Sequence, residues 1–247
     1  MHMRLMILGM NGPFPASGSA CSGYLVQGER AEIAVDLGCG TLATLTSLTP
    51  PEGLTALLLT HWHGDHCSDV LPMLYRLESV AARLGVAWKP LDIYAPLDES
   101  SPVRVAVKKC GAVRLHDTAP GETLMLAGME VQTFAARHPV PALMYRLTEQ
   151  GKALAMTGDT NDTPDLPALA KSADLLVADG LFPQAAWGES KPHLSARMAA
   201  ELARDAGARA LLITHLNPDF EPSTLLREAR EVYPTAELAR CGMQLGL

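Results

Sequence analysis

The sequence predicts a mixed α/β fold in which strands and helices alternate along most of the chain. Short apolar runs rich in Leu, Val, Ile and Ala recur through the 247 residues and have the length of buried strands. Between many of them, apolar residues repeat every three or four positions, as in helices that cover a sheet. Prolines and glycines are spread as turn residues, without a low-complexity linker or a repeat. We therefore expect residues 1–247 to form a single domain.

The elements follow from these two patterns in order. Strands are predicted at residues 4–8, 23–27, 32–35, 56–60, 91–94, 123–126, 129–135, 143–148, 153–157, 174–178, 210–214 and 236–239. Helices are predicted where apolar residues share one face, as Val70, Leu74, Leu77 and Ala81 do. They fall at residues 41–48, 68–84, 102–109, 165–172, 195–206 and 222–232.

Four metal-ligand side chains stand within six residues at the end of the predicted strand 56–60. They are His61, His63, Asp65 and His66, in Thr60-His61-Trp62-His63-Gly64-Asp65-His66. Because a helix follows, the segment lies on a strand-to-helix turn that can direct side chains to two sides. His61 and His63 can then reach one cation, and Asp65 and His66 a second. Solvated loop histidines are the alternative, but four ligands exceed what one four-coordinate ion needs from so short a segment.

This segment resembles the His-x-His-x-Asp-His signature of the metallo-β-lactamase superfamily, and the similarity continues along nearly the whole chain. The resemblance implies an αββα four-layer sandwich, with two face-to-face mixed sheets flanked by helices. It also implies two ligand sets, with Asp159 bridging them: His61, His63 and His138 on one ion, and Asp65, His66 and His215 on the other. Taken alone, His138 could be a surface or capping residue and Asp159 a turn residue.

All the expected ligands are nitrogen or oxygen donors, so two divalent metal ions are implied as cofactors. Zinc suits the set best, and manganese or iron also fit. Two such cations would hold a bridging water and lower its pKa, giving a hydroxide at ordinary pH. Asp65 and Asp159 are assigned as catalytic residues as well as ligands, and Asp159 would fix that bridge. Cys67 adjoins His66, but we expect it to be a small residue of the helix, since no other cysteine is placed to join it.

A further histidine, His193, distinguishes phosphoester chemistry from other reactions of the superfamily. Lys191-Pro192-His193-Leu194-Ser195 precedes the predicted helix 195–206. It resembles the His-x-Ser/Thr element of ribonuclease Z and related cyclic phosphodiesterases. By that resemblance His193 is catalytic, protonating the leaving oxygen or stabilising charge on the phosphate. The alternative is that Ser195 caps the helix and His193 is incidental.

The chain departs from ribonuclease Z where that family inserts a long tRNA-gripping arm. The corresponding interval, from His138 to Asp159, has room only for two strands joined at Gln150-Gly151. The chain also carries 20 Lys and Arg against 27 Asp and Glu, a formal charge of −7, which disfavours polyanion binding. The expected substrate is therefore a small-molecule phosphoester, with nucleic acid disfavoured though still open.

These features predict a metal-dependent hydrolase that acts on small phosphodiesters or nucleotides through a metal-bridging hydroxide. The resemblance is to the arm-less branch related to ribonuclease Z. A lactonase or thioesterase, or a tRNA 3′ endonuclease, is the alternative enzyme. A non-catalytic metal or nucleotide binding protein is a further alternative, disfavoured because the full ligand set is present.

The remaining features concern the surroundings of the site and of the protein. Asp36 either orients a ligand histidine or serves a turn. Phe14, Trp62 and Trp187 either form an apolar wall for a base or an aryl group, or pack elsewhere.

The five cysteines, Cys21, Cys39, Cys67, Cys110 and Cys241, show no Cys-x-x-Cys pair and cannot all pair. Without an apolar run of membrane length or a signal-peptide core, the predicted location is the cytoplasm. Relatives are commonly dimers, so the resemblance allows a homodimer.

Overall fold

Two sheets form the centre of the structure, a computed structural model that describes residues 3–85 and 89–247. Across these residues each sheet has seven strands. The first has the order β14-β1-β2-β3-β4-β5-β6 and the second β13-β12-β11-β10-β9-β8-β7. The strands of the first sheet are β1 (Arg4–Gly9), β2 (Gly23–Gln27), β3 (Glu32–Leu37), β4 (Ala56–Leu58), β5 (Leu91–Ala95), β6 (Val113–Asp117) and β14 (Gln244–Gly246). Those of the second are β7 (Thr123–Leu126), β8 (Met129–Ala135), β9 (Leu143–Glu149), β10 (Lys152–Met156), β11 (Leu175–Asp179), β12 (Leu211–Thr214) and β13 (Glu237–Leu238).

Helices cover the outer face of each sheet. They are α1 (Thr41–Leu48), α2 (Gly64–Cys67), α3 (Val70–Leu84), α4 (Pro102–Lys109), α5 (Leu166–Ala170), α6 (Ala196–Asp205) and α7 (Pro222–Arg230). One apolar core lies between the sheets and includes Leu58 and Tyr145. A second joins the first sheet to α1, α3 and α4, and a third joins the second sheet to α5, α6 and α7. These layers confirm the predicted αββα sandwich of two mixed sheets flanked by helices.

Strand direction brings the chemically active loops to one edge of the sandwich. β3 to β6 run parallel in the first sheet, and β10 to β13 run parallel in the second. β8 has the direction of β10, because each is antiparallel to β9. The carboxyl ends of β4, β8, β10, β11 and β12 can therefore present side chains to a common region.

Some elements differ from the prediction, each for a local reason. β6 and β14 were not predicted, because their half-exposed residues, such as Arg114 and Gln244, break the apolar pattern. β4 ends at Leu58 rather than residue 60, since the Thr60 N–H donates to the Asp36 carboxylate at 2.8 Å. The predicted helix 68–84 is preceded by the separate short helix α2 and begins at Val70.

The interval from His138 to Asp159 holds the β9–β10 hairpin, as expected for a chain without an arm. Its turn residues, Gln150 and Gly151, have φ values of 49° and 76°, which are left-handed conformations. Within the described residues no helix is both long and apolar enough to span a membrane.

Candidate metal centre

The structure brings the seven predicted ligands together at the common edge of the two sheets. His61, His63 and His138 form one group, and Asp65, His66, Asp159 and His215 a second, with donor atoms within 4.8 Å of one another in each. In the first group His63 Nδ1 lies 3.0 Å from His61 Nε2 and 3.1 Å from His138 Nε2. In the second, Asp159 lies 3.1 Å from His66 Nε2 and 3.3 Å from His215 Nε2.

Asp159 is the side chain that joins the two groups. Its Oδ2 atom is 3.7 Å from His61 Nε2 and 3.3 Å from His215 Nε2, while Oδ1 faces His66. Asp65 Oδ2 lies farther out, 3.6 Å from His66 Nε2 and 3.8 Å from His215 Nε2. A carboxylate placed between two clusters of imidazoles has the geometry needed to bridge two cations.

The ring nitrogens opposite these donor atoms are held by other residues. His66 Nδ1 is 2.7 Å from Asp36 Oδ2, and His215 Nδ1 is 3.1 Å from Ser22 Oγ. His61 Nδ1 lies 3.1 Å from Thr60 Oγ1, and His138 Nδ1 lies 3.3 Å from the Pro192 carbonyl oxygen. Such partners fix the orientation and tautomer of an imidazole ligand. Asp36 therefore orients a histidine of the cluster, the first of its two predicted roles.

Backbone geometry around the second group is unusual in two places. Asp36 and His215 have φ values of 56° and 57°, a left-handed conformation that costs free energy in residues other than glycine. Gly12 lies so close to the His215 ring that an added Cβ atom would be only 1.9 Å from its Cε1. The surrounding packing therefore holds the His215 imidazole in one position. The left-handed backbone there costs free energy, and such strain is common at functional sites.

Three buried atoms of the second group make no hydrogen bond of regular geometry, although two of them, His66 Nε2 and Asp159 Oδ1, lie 3.1 Å apart. They are His66 Nε2, His215 Nε2 and Asp159 Oδ1. Unsatisfied polar atoms at full burial are rare, because each loses its interaction with water without compensation. A cation between them would satisfy all three, so the residues present fit a divalent metal ion.

Burial and mutual interaction shift the pKa values within the cluster. Burial lowers the pKa of His61 and of His215 well below the ordinary value, and lowers that of His138 to about 4. For His66, burial is outweighed by Asp159 and Asp36, which raise its pKa well above the ordinary value. For Asp159, burial is likewise outweighed, here by His215 and His66, which lower its pKa. The neutral imidazoles His61, His138 and His215 are in the form that binds metals.

His193 lies next to this cluster and pairs with Asp179, a residue that the sequence interpretation missed. His193 Nδ1 is 2.8 Å from Asp179 Oδ2 and 3.9 Å from Asp159 Oδ2. Asp179 is fully buried and accepts the N–H groups of Thr160 and Leu181. The available signal was a carboxylate next to a glycine after an apolar strand, Asp179 before Gly180 and Asp159 after Gly158, but the predicted strand stopped at residue 178.

The Asp179 carboxylate determines the protonation of His193. Burial opposes a charged imidazole, but the charge and hydrogen bond of Asp179 outweigh it and raise the pKa of His193 to about 9. Burial in turn raises the pKa of Asp179 to about 6, despite the opposing effect of His193. At neutral pH His193 is therefore a proton donor, unlike the neutral imidazoles beside it.

Ser195 does cap α6, as the alternative held, since its Oγ accepts the Met198 N–H at 3.1 Å. The cap does not make His193 incidental, because the two side chains have different partners.

Trp187 donates its Nε1–H to the His193 carbonyl oxygen at 3.1 Å and so lies near the site. Trp62 does not form a wall of the site, because it is buried in the core and donates to Pro96. Cys67 is buried and donates its thiol to the Trp62 carbonyl oxygen.

Comparison with known proteins agrees with this fold. A family model described as a beta-lactamase superfamily domain matches residues 32–216. The probable metallo-hydrolase YhfI of Bacillus subtilis is 29% identical over 94% of both chains. The crystal structure of YhfI superposes with a TM-score of 0.91, at 27% identity and 99% coverage of both chains.

Two further relatives act on RNA according to their names. Ribonuclease BN of Cronobacter sakazakii is 26% identical over 96% of this chain and 97% of its own. The short form of human tRNase Z has the same fold, with a TM-score of 0.78, 19% identity and 98% coverage of both chains. From the family match, the site geometry and the shared fold, the chain belongs to the metallo-beta-lactamase superfamily.

Proposed function

We propose that this protein is a dinuclear metal-dependent phosphodiesterase that hydrolyses small phosphodiesters or nucleotides. The observation that carries the proposal is the His193–Asp179 pair directly beside a metal-type cluster, with His193 Nδ1 2.8 Å from Asp179 Oδ2. His193 Nδ1 is occupied by Asp179, and that carboxylate raises the pKa of His193 against the effect of burial, which favours the proton-donating form. The Nε2–H is then available to a leaving oxygen, which a phosphodiester needs and an activated carbonyl substrate needs less.

The ligand roles follow the two groups of side chains. His61, His63 and His138 would hold one cation, Asp65, His66 and His215 the other, and Asp159 both. The mixture of imidazole and carboxylate donors favours zinc, with manganese and iron as alternatives. When bound, two such cations supply a nucleophilic hydroxide near neutral pH and offset negative charge on the phosphate. We also propose that residues 1–247 act as one domain, because both sheets contribute to the same cluster.

The side chains of the protein then have separate tasks in the reaction. Asp36 and Ser22 hold the imidazoles of His66 and His215 in position. As water adds to phosphorus and the ester P–O bond breaks, His193 Nε2 donates its proton to the leaving oxygen. Asp179 stabilises the positive charge on His193 before that transfer and sets its tautomer.

The short interval between His138 and Asp159 and the negative net charge of the chain both disfavour a large nucleic-acid substrate. The β9–β10 hairpin occupies the interval in which ribonuclease Z carries its arm, and the formal charge of −7 disfavours a long polyanion. We therefore place small phosphodiesters before precursor tRNA, although relatives are named for ribonuclease activity.

The deciding experiment is His193→Ala, with His116→Ala as the matched control. His116, on the edge strand β6 of the first sheet, pairs with Asp92 on the adjacent strand β5 and is not a member of the cluster. We expect His193→Ala to keep its metal ions and to slow hydrolysis of an alkyl phosphodiester by about a hundred- to ten-thousand-fold, the effect of losing a general acid. The loss should be smaller for bis(p-nitrophenyl) phosphate, because p-nitrophenolate leaves without protonation.

Two results would reject this function. One is full activity of His193→Ala on the alkyl phosphodiester. The other is a metal-loaded wild-type protein that hydrolyses homoserine lactones or thioesters but no phosphoester, which would establish the carbonyl hydrolase instead.

A further inference from the structure

Two partly exposed phenylalanines lie beyond His193, outside the metal cluster. The Phe182 ring centroid is 6.1 Å from that of His193 and 6.0 Å from that of Phe220, and both pairs of rings are inclined by about 60°. Among the described residues, neither ring belongs to the three apolar cores, whereas Phe134 packs against the third. Packing of the fold therefore does not account for the aromatic pair.

The backbone holds both rings in place relative to the site. The Phe182 carbonyl oxygen accepts the Ala196 N–H at 3.0 Å, and the Phe182 N–H donates to the Leu194 carbonyl oxygen at 3.4 Å. These two bonds attach Phe182 to the segment that carries His193. Phe220 ends a turn in which Asn217 accepts N–H groups from Phe220 and Asp219. That turn follows His215 by two residues. The aromatic pair is thus attached to the same segments as two site histidines.

One face of Phe182 borders solvent. The Lys191 ammonium lies 5.4 Å from the ring centroid, and the side chain of Lys191 is exposed. A hydrated cation that rests on an aromatic face marks a face with an affinity for electron-poor or cationic groups. It also marks a face that another planar group can reach once the exposed lysine side chain moves aside.

From these contacts we infer that Phe182 and Phe220 form a subsite for an aromatic leaving group, in particular the nucleoside of a nucleotide phosphodiester. The inference rests on the proposed function, because it uses His193 as the donor to the leaving oxygen. The group attached to that oxygen must lie beside His193, and the Phe182 ring lies 6.1 Å from the His193 ring. Bases stack on aromatic side chains without hydrogen-bond readout, so the subsite selects for a base but not for its identity.

The test compares two cyclic phosphodiesters, of which one carries a nucleoside and the other has neither the sugar ring nor the base. Adenosine 2′,3′-cyclic phosphate and glycerol 1,2-cyclic phosphate both open at a five-membered ring and release one alkoxide, which takes up a proton. Phe182→Leu and Phe220→Leu remove the aromatic face and retain apolar bulk. Phe134→Leu is the matched control, and Phe182→Tyr retains the aromatic ring.

We expect Phe182→Leu and Phe220→Leu to lower kcat/KM for the adenosine substrate by about five- to a hundred-fold, the range for loss of a base-stacking aromatic. Their kcat/KM for the glycerol substrate should stay within about two-fold of wild type, which also shows that the variants fold. Phe182→Tyr and Phe134→Leu should keep the preference for the base. Equal losses on both substrates, or no loss on either, would overturn the subsite while leaving the phosphodiesterase intact.

Binding separates the subsite from the reaction. Calorimetric titration with adenosine 5′-monophosphate requires no turnover, and Phe182→Leu should weaken that binding by a similar factor. If wild-type protein hydrolysed neither cyclic phosphodiester but bound the nucleotide in a Phe182-dependent way, the proposed function would fail and the aromatic site would stand as a binding site. Binding that is insensitive to Phe182→Leu would reject the site itself.

Discussion

Replacing Asp179 by Asn tests how the proton on His193 is held. Asp179 is the largest favourable influence on the His193 pKa, which it raises to about 9 against the effect of burial. An amide removes the negative charge and can turn its NH₂ group toward His193, which favours the wrong tautomer. The acid form of His193 is present below its pKa and is lost as pH rises through it. Asp179→Asn should therefore move the alkaline limb of the pH–rate profile to lower pH.

The size of the effect depends on pH. If the variant returns His193 to its ordinary pKa of 6.5, the protonated fraction falls about four-fold at pH 7 and more than about 100-fold at pH 9, relative to wild type. Cations bound beside His193 lower its pKa in both proteins, so the displacement between the two profiles is the quantity to compare. The assay is kcat/KM for an alkyl phosphodiester from pH 6 to pH 9.5, with metal content measured in each preparation.

Asp92→Asn is the control, because His116 Nε2 and Asp92 Oδ1 form a second His–Asp pair at the same separation of 2.8 Å. That pair lies on β5 and β6, so its loss should leave the profile unchanged. A ratio of wild-type to Asp179→Asn activity that is constant across pH would refute the role of Asp179 in holding the proton. It would instead indicate a purely structural contribution.

Three further outcomes are expected. Wild-type protein loaded with zinc should bind about two ions per chain by metal analysis, and His63→Ala should lose much of that metal; a wild-type content near zero would reject the centre. Small phosphodiesters should be cleaved far better than precursor tRNA at physiological salt, whereas efficient and accurate 3′ processing would show that the arm is dispensable. Tyr145→Phe should lower the free energy of unfolding in urea by about 1 kcal/mol, because the buried hydroxyl donates to Leu59 at 2.8 Å. Tyr75→Phe, at an exposed position, should not change it.

The sequence by itself determined the layers of the fold and the position of the ligand cluster. The spacing of apolar residues indicates whether a segment is buried on one face or on both. This spacing is found from neighbouring residues alone, without knowledge of the tertiary structure. His61, His63, Asp65 and His66 lie within six residues on one turn, so their proximity needs no tertiary information. Asp159 and His215 were predicted from the family resemblance, and the structure places them after the parallel strands β10 and β12, at one edge of the sheet.

Only the tertiary structure decided which partners hold those ligands. Ser22 and His215 are separated by 193 positions, and no local pattern connects them. Asp179 is a strand-end carboxylate like Asp159, and its role became visible only when β11 placed it 2.8 Å from His193. For Trp62 the sequence left a wall of the site and packing elsewhere as alternatives, and the structure places its indole in the core. Which residues contact the site histidines depends on distances in space, and the packing of the two sheets determines those distances.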